Sequence, residues 1–271
     1  MKMPRILWVV ITALMLALHV VPGLAQGGPS TNSALDRISA SGRLRVCIWP
    51  DYFGITYRHP RTQQLSGIDI DLSTELAREL KVSLEYVESS FARLVEDLQT
   101  QRCDVGMFAV GMLDQRRQLL AFTRPYLQSD IYGVAPRASW KVRQWSDIDR
   151  PGVTVAVQAG TVLAPVMMGG LKQARIVVVR APATREQALE SGRVDVFMTD
   201  YPYSRRLLSR VTWARLISPP EPIFVLPYGY ASKLGDTRWQ ARLDRFVVCI
   251  KRDGRLRAAA QRHGLSDIVP N

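Results

Sequence analysis

Apolar positions along this chain recur with two periods. Short runs that are apolar throughout or nearly so, "RLRVCIW" (43–49), "LEYVES" (84–89) and "CDVGMFAV" (103–110), predict strands. Between them "GIDIDLSTELARELKV" (67–82) begins extended and becomes helical, with Leu72, Leu76 and Leu80 at four-residue spacing, and "FARLVEDLQTQR" (91–102) predicts a second helix. The rhythm returns further on. "GVTVAVQAGT" (152–161) predicts a strand running into a Gly-Thr turn, "ARIVVVRAP" (174–182) a strand, "TREQALESGR" (184–193) a helix and "VDVFMTDYP" (194–202) a strand. The stretches 98–110 and 189–200 share one order: helix end, basic residue, Asp, apolar strand. An amphipathic helix over 237–254, closed by Asp-Gly, and a short helix over 255–264 finish the chain. Strands alternating with helices imply parallel sheets covered by helices, and the repeat implies two of them.

Two open sheets in one chain leave a crevice, and ligands of such sheets sit at the carboxyl ends of the strands. Those ends read "WPDYFG" (49–54), "GMLDQRR" (111–117), "QAGT" (158–161) and "TDYP" (199–202). They supply an aromatic wall, a doubled guanidinium, a Gly-Thr turn and an acid. A planar guanidinium at such a place suits a carboxylate, which it meets with two parallel hydrogen bonds.

Composition narrows the setting. Lys2 and Arg5 precede the apolar run "ILWVVITALMLAL" (6–18) and the small-residue stretch "GLA" (23–25), the order of a secretory leader ending after about Ala25. The chain is therefore expected in the periplasm, with 26–36 as a linker. The 271 residues carry a net charge of +12, but arginines are spread along the whole length without a dense tract or a nucleic-acid motif, so no nucleic-acid partner is expected. The cysteines are Cys47, Cys103 and Cys249. Without a CxxC, or a histidine at ligand spacing, they support neither a metal nor a cofactor site. His59 and His263 have no nucleophile near them in sequence, which argues against Ser or Cys hydrolysis.

From "GRLRVCIW" through "LSGIDIDLSTELARELKV", "LDQRRQLLAFTRPY", "VAVQAGT" and "GRVDVFMTDYP" to "CIKRDGRLRAAAQRHG", the chain resembles family 3 of the bacterial extracellular solute-binding proteins, which serve ABC importers of polar amino acids. The resemblance implies a two-lobed α/β fold of the type 2 periplasmic binding class, each lobe a mostly parallel sheet flanked by helices. Lobe 1 would take 37–130 and 227–271, lobe 2 would take 131–226, and crossovers near 128–136 and 225–231 would act as hinges. It also implies roles. Arg116 would grip the ligand carboxylate while Arg117 faces water. Thr161 would meet the same carboxylate, Asp200 would pair with an ammonium, and Tyr52 would cover the ligand. Phe53 and Tyr57 are core or rim, and Asp69 and Asp71 are structural.

Departures from the family pattern bear on the ligand. Trp49 stands where binders of basic amino acids tend to carry an acid, and Phe108, Ala109 and Gly111 replace a hydroxyl-rich run, leaving Gly111 to offer its backbone N–H. A more apolar pocket follows, suited to an amino acid with an apolar or aromatic side chain, or to a related carboxylate. The expected protein is a monomer without cofactor that closes around its solute and hands it to a membrane ABC permease. Two other roles share the fold: a cyclohexadienyl dehydratase with Asp200 as general acid, and a ligand-binding partner of a membrane sensor. A bridge between Cys47 and Cys103, one between Cys103 and Cys249, and three thiols all remain open.

Overall fold

The computed structural model describes residues 33–180 and 183–270. The expected leader, the linker up to 32 and the end of the strand expected over 174–182 lie outside the described residues. The rest of the linker is partly helical. Ser33 accepts from the Leu35 N–H and opens α1 (Ala34–Ser41), which Gly42 ends at φ 64. Next comes β1 (Arg43–Ile48), then β2 (Asp51–Tyr52), β3 (Thr56–Arg58) and β4 (Leu65–Ser66), which form a small antiparallel sheet of their own.

The first large sheet continues with α2 (Ile68–Leu80), β5 (Ser83–Glu88), α3 (Leu94–Gln99), β6 (Val105–Gly111), α4 (Asp114–Arg117), β7 (Leu120–Phe122) and β8 (Leu127–Ser129). The second sheet is built from β9 (Tyr132–Pro136), β10 (Thr154–Gln158), α5 (Leu163–Gly170), β11 (Arg175–Val179), α6 (Arg185–Glu190), β12 (Val196–Thr199), α7 (Tyr201–Arg210) and β13 (Ala214–Ile217). Then β14 (Leu226–Lys233) returns to the first sheet, and α8 (Thr237–Arg252) and α9 (Arg255–Arg262) pack against it. The strand orders are β5-β1-β6-β14-β7, with β8 also on β14, and β11-β10-β12-β9-β13.

Only half of this is the expected parallel arrangement. The pairs β1–β5, β1–β6, β10–β11 and β10–β12 are parallel, whereas β14 and β9 run against every strand they pair with. These two strands carry the chain between the sheets. Their sequences, "YGVAP" and "LPYGYASK", are broken by Gly and Pro and show no clean period, which is why the apolar pattern did not reveal them. Each sheet has its own core. Leu44, Val46, Ile48, Leu72, Leu76 and Phe246 pack in the first, while Val155, Val157 and Met198 line one face of the second and Ala156, Phe197 and Leu189 the other.

Two helix starts differ from expectation. Residues 67–82 do not begin extended, because α2 starts at Ile68 directly after Gly67, whose φ of 137 and lack of a side chain let it lie against Ile55; a Cβ there would come within 2.2 Å of the Ile55 carbonyl oxygen. The helix expected over 91–102 is α3 alone, starting at Leu94, and this frees Phe91 to turn inward.

Cys47 of β1 and Cys103, just before β6, form a disulfide, while Cys249 is free. The bridge closes a loop of 56 residues, for which chain entropy gives a stabilisation of about 4 kcal/mol. Replacing both residues with serine is expected to lower the unfolding free energy by about that amount in urea titrations, with a steeper slope because the unfolded chain without the bridge exposes more surface.

Candidate functional site

The strand ends meet at a narrow cavity of about 50 Å³, well under the roughly 300–1,000 Å³ usual for small-molecule sites, so its walls stand close together. After β1 the chain turns at Trp49, whose carbonyl accepts from the Tyr52 N–H at 3.1 Å and from the Thr56 hydroxyl at 2.7 Å, so the turn into β2 and β3 is fixed. Trp49, Tyr52 and Phe91 then pack ring against ring, with centroids 5.3–5.9 Å apart.

The end of β6 is shaped by a buried acid. Ala109 has φ 47, an uncommon conformation for a residue with a side chain, and its N–H donates to the Asp69 carboxylate at 3.0 Å. Asp69 also accepts from the hydroxyls of Tyr126 and Tyr230. It is structural, as expected, and so is Asp71, which pairs with Arg262 at 2.7 Å and His263 at 3.0 Å. The bend at Ala109 leads to Gly111, where an added Cβ would come within 2.6 Å of Leu226. The Gly111 carbonyl accepts from Arg116 at 3.3 Å.

Arg116 crosses between the lobes. Its other terminal nitrogen donates to the Gly160 carbonyl at 3.4 Å, and its guanidinium lies 5.4 Å from the centre of the Phe91 ring. Among the described residues no carboxylate is paired with it, and burial alone lowers its pKa. Arg117 is exposed and donates to the Met112 carbonyl.

Thr161 lines the cavity and does not cap the helix that follows it. Its hydroxyl donates to the Gln158 carbonyl at 2.8 Å, and α5 starts only at Leu163. Asp200 ends β12 and caps α7 by accepting from the Tyr203 N–H at 3.1 Å. The hydroxyls of Tyr52 and, at 3.3 Å, Tyr228 reach it from the other lobe. Its burial raises the carboxyl pKa, and burial likewise holds both phenols well above their usual range, so they remain donors.

Trp49, Tyr52, Gly111, Arg116, Thr161 and Asp200 thus share one cavity wall. Phe108 does not. It is fully buried behind Phe91, 5.1 Å between ring centres, because the turn at Ala109 sends its side chain into the core. Phe53 and Tyr57 form a rim outside the cavity, beneath the guanidinium of Arg206. Sequence reasoning missed Phe91, Arg185, Thr199, Tyr203, Phe224 and Tyr228. For Arg185 one signal existed: it precedes the buried Ala188 and Leu189 by three and four residues, so it shares their helix face.

The pattern of the bacterial extracellular solute-binding proteins, family 3, matches residues 44–266. The chain belongs to this family. A relative in Pseudomonas aeruginosa, cyclohexadienyl dehydratase, is 30% identical over 83% of this chain and 84% of its own length. A probable histidine-binding protein of Campylobacter jejuni is 24% identical over 68% and 70%. Among solved structures, an ancestral amino acid-binding protein that is a precursor of cyclohexadienyl dehydratase is 27% identical, with a TM-score of 0.76 over 85% of this chain and 99% of its own. Most similar proteins of the family are binding proteins. Among the described residues no helix is long and apolar enough to cross a membrane, and no cluster of side chains could hold a metal ion.

Burial raises the Asp69 pKa from 3.8 to about 7. The folded chain therefore holds this proton more tightly than the unfolded chain. The stability it contributes is complete below about pH 4 and is lost as pH rises through 7. Urea melts at pH 4, 5.5 and 7 are expected to show that decline in the wild type relative to Asp69→Asn, which has no proton to lose.

Proposed function

We propose that the protein is the exported, monomeric binding component of an ABC importer and that its solute is an α-amino acid or a related carboxylate. The observation that carries this is Arg116, a guanidinium half-buried at the cavity wall with no acid of its own among the described residues. A desolvated cation held only by two carbonyls is poised for an anion, and a carboxylate matches its planar fork. Thr161 would offer a further contact beside it, and Asp200 would receive the ammonium, sharing its oxygens with Tyr52 and Tyr228. Trp49, Phe91, Ile131, Leu163, Phe224 and Leu226 would enclose an apolar or aromatic side chain.

Uptake would proceed by hinge closure. The chain passes between the sheets at Asp130 and again over 218–225. The Asp130 carboxylate ties the two passages together by accepting from Ile131, Ile223 and Phe224 N–H groups at 2.7–3.0 Å. We place the hinges there, with lobe 1 as 37–130 and 227–271 and lobe 2 as 131–226. Arg116 and Tyr52 on one side and Thr161 and Asp200 on the other make a ligand's contacts differ between open and closed forms, which is what shifts the population.

A second reading, dehydration of prephenate or arogenate, is favoured by the 30% identical relative, and the burial that raises the Asp200 pKa would suit this residue to a proton-donating role. Release of phenylpyruvate from prephenate would establish it.

In a thermal-melt screen against amino acids, small dicarboxylates and prephenate, a ligand at a hundred times its Kd stabilises by about 2.7 kcal/mol. An amino acid is expected to raise Tm, and Arg116→Ala to abolish the rise. An equal rise in the variant would remove Arg116 from the site.

A further inference from the structure

Arg185 has no part in the scheme above, yet it lines the same cavity from the second lobe. It is 5% exposed, which is rare for an arginine; among the described residues no carboxylate is hydrogen-bonded to it, and Asp200 of the same cavity interacts with it through charge alone. One terminal nitrogen donates to the Met198 carbonyl at 2.6 Å, and the guanidinium lies over the rings of Phe197, 5.2 Å from its centre, and Tyr203, at 4.6 Å. Ring stacking fixes the plane of this cation, while its remaining N–H groups are left for another acceptor.

A second observation points to the same wall. Thr199 is 1% exposed and its hydroxyl has no hydrogen-bond partner, although it too borders the cavity. Buried hydroxyls are nearly always satisfied, so an unsatisfied one in a residue of the cavity lining leaves a donor and an acceptor that a polar ligand atom could take up once the walls part. The adjoining outer cleft shares Trp49, Phe91, Arg185 and Tyr203 with the cavity, and Arg180, Arg206 and Arg210 line it against Asp51 and Glu186. Such a lining favours the approach of anions.

We propose that Arg185 and Thr199 form a second anion subsite, so that the solute carries two carboxylates joined by an apolar stem: an amino acid with an acidic side chain of glutamate length or longer. The proposal rests on the reading of Arg116 as the first carboxylate anchor and narrows it. Trp49, Phe91 and Phe224 would then cover the stem, and the side-chain carboxylate would meet Arg185. The same wall opposes a cationic side chain, whose charge would face a fixed guanidinium.

Calorimetric titration of the whole exported chain with L-glutamate, L-2-aminoadipate, L-norleucine, L-phenylalanine and glutarate tests this, using wild type, Arg185→Met and Thr199→Val. Methionine keeps a stem over the rings but removes the charge. One of the two acidic amino acids is expected to bind roughly 10- to 100-fold more tightly than norleucine, the size of a charge-assisted contact, and Arg185→Met to erase that preference. Thr199→Val, which leaves the guanidinium stacked and serves if Arg185→Met fails to fold, is expected to weaken the acid by roughly fivefold without affecting norleucine. Binding of norleucine or phenylalanine equal to or tighter than that of the acids, or an acid preference that survives in Arg185→Met, overturns the second subsite and leaves the amino-acid reading intact. Glutarate binding that depends on Arg185 while every amino acid is silent supports the subsite and overturns the amino-acid reading. Silence from all five overturns the second subsite and leaves the amino-acid reading to the wider melt screen.

Discussion

Arg116 is a cation withdrawn from water and given no acid in return among the described residues. Its hydrogen bonds go to the carbonyls of Gly111 and Gly160, one at the end of a first-sheet strand and the other in the turn after a second-sheet strand. Two neutral acceptors at 3.3 and 3.4 Å offset only part of the desolvation that lowers its pKa. The rest of the cavity follows from keeping this group in place. A side chain at 111 would push against the end of the Leu226 side chain, 2.6 Å from an added Cβ, and Phe91, outside the helix, lies beneath the guanidinium.

The support behind that cation is a polar network in the first-lobe core. Asp69, Tyr126 and Tyr230 hold the N–H of Ala109 or each other, and they fix a left-handed turn that the chain would otherwise avoid. The turn decides which residues of β6 line the cavity: Ala109 and Gly111 do, and Phe108 does not. Beneath it the disulfide joins β1 to the start of β6, the two strands whose ends carry Trp49 and Gly111. Rigidity in this lobe and movement at the Asp130 crossover would be complementary requirements of the hinge closure proposed above.

The repeated alternation of strands and helices was legible because each βαβ round buries continuous apolar runs. The strand ends were legible for the same reason, and Trp49, Tyr52, Arg116, Thr161 and Asp200 do converge on one cavity. What stayed hidden had physical causes. A backbone turn at a non-glycine residue cannot be read from composition, so Phe108 was misplaced. Arg185 follows Thr184 in a capping box, where an arginine ordinarily points to water, and only its phase with Ala188 and Leu189 betrayed it. The strands that return the chain between the lobes are interrupted by Gly and Pro, and the antiparallel half of each sheet was lost with them.

The central claim is that an unpaired guanidinium at 116 awaits the carboxylate of a solute. Native mass spectrometry tests it most directly, after incubation of the protein with a mixture of amino acids and small dicarboxylates and, separately, with the carboxamide analogue of whichever compound binds. The account predicts one bound carboxylate, no binding of its amide, and an empty Arg116→Ala variant. Retention of the same compound by the variant, or equal binding of the amide, would contradict it.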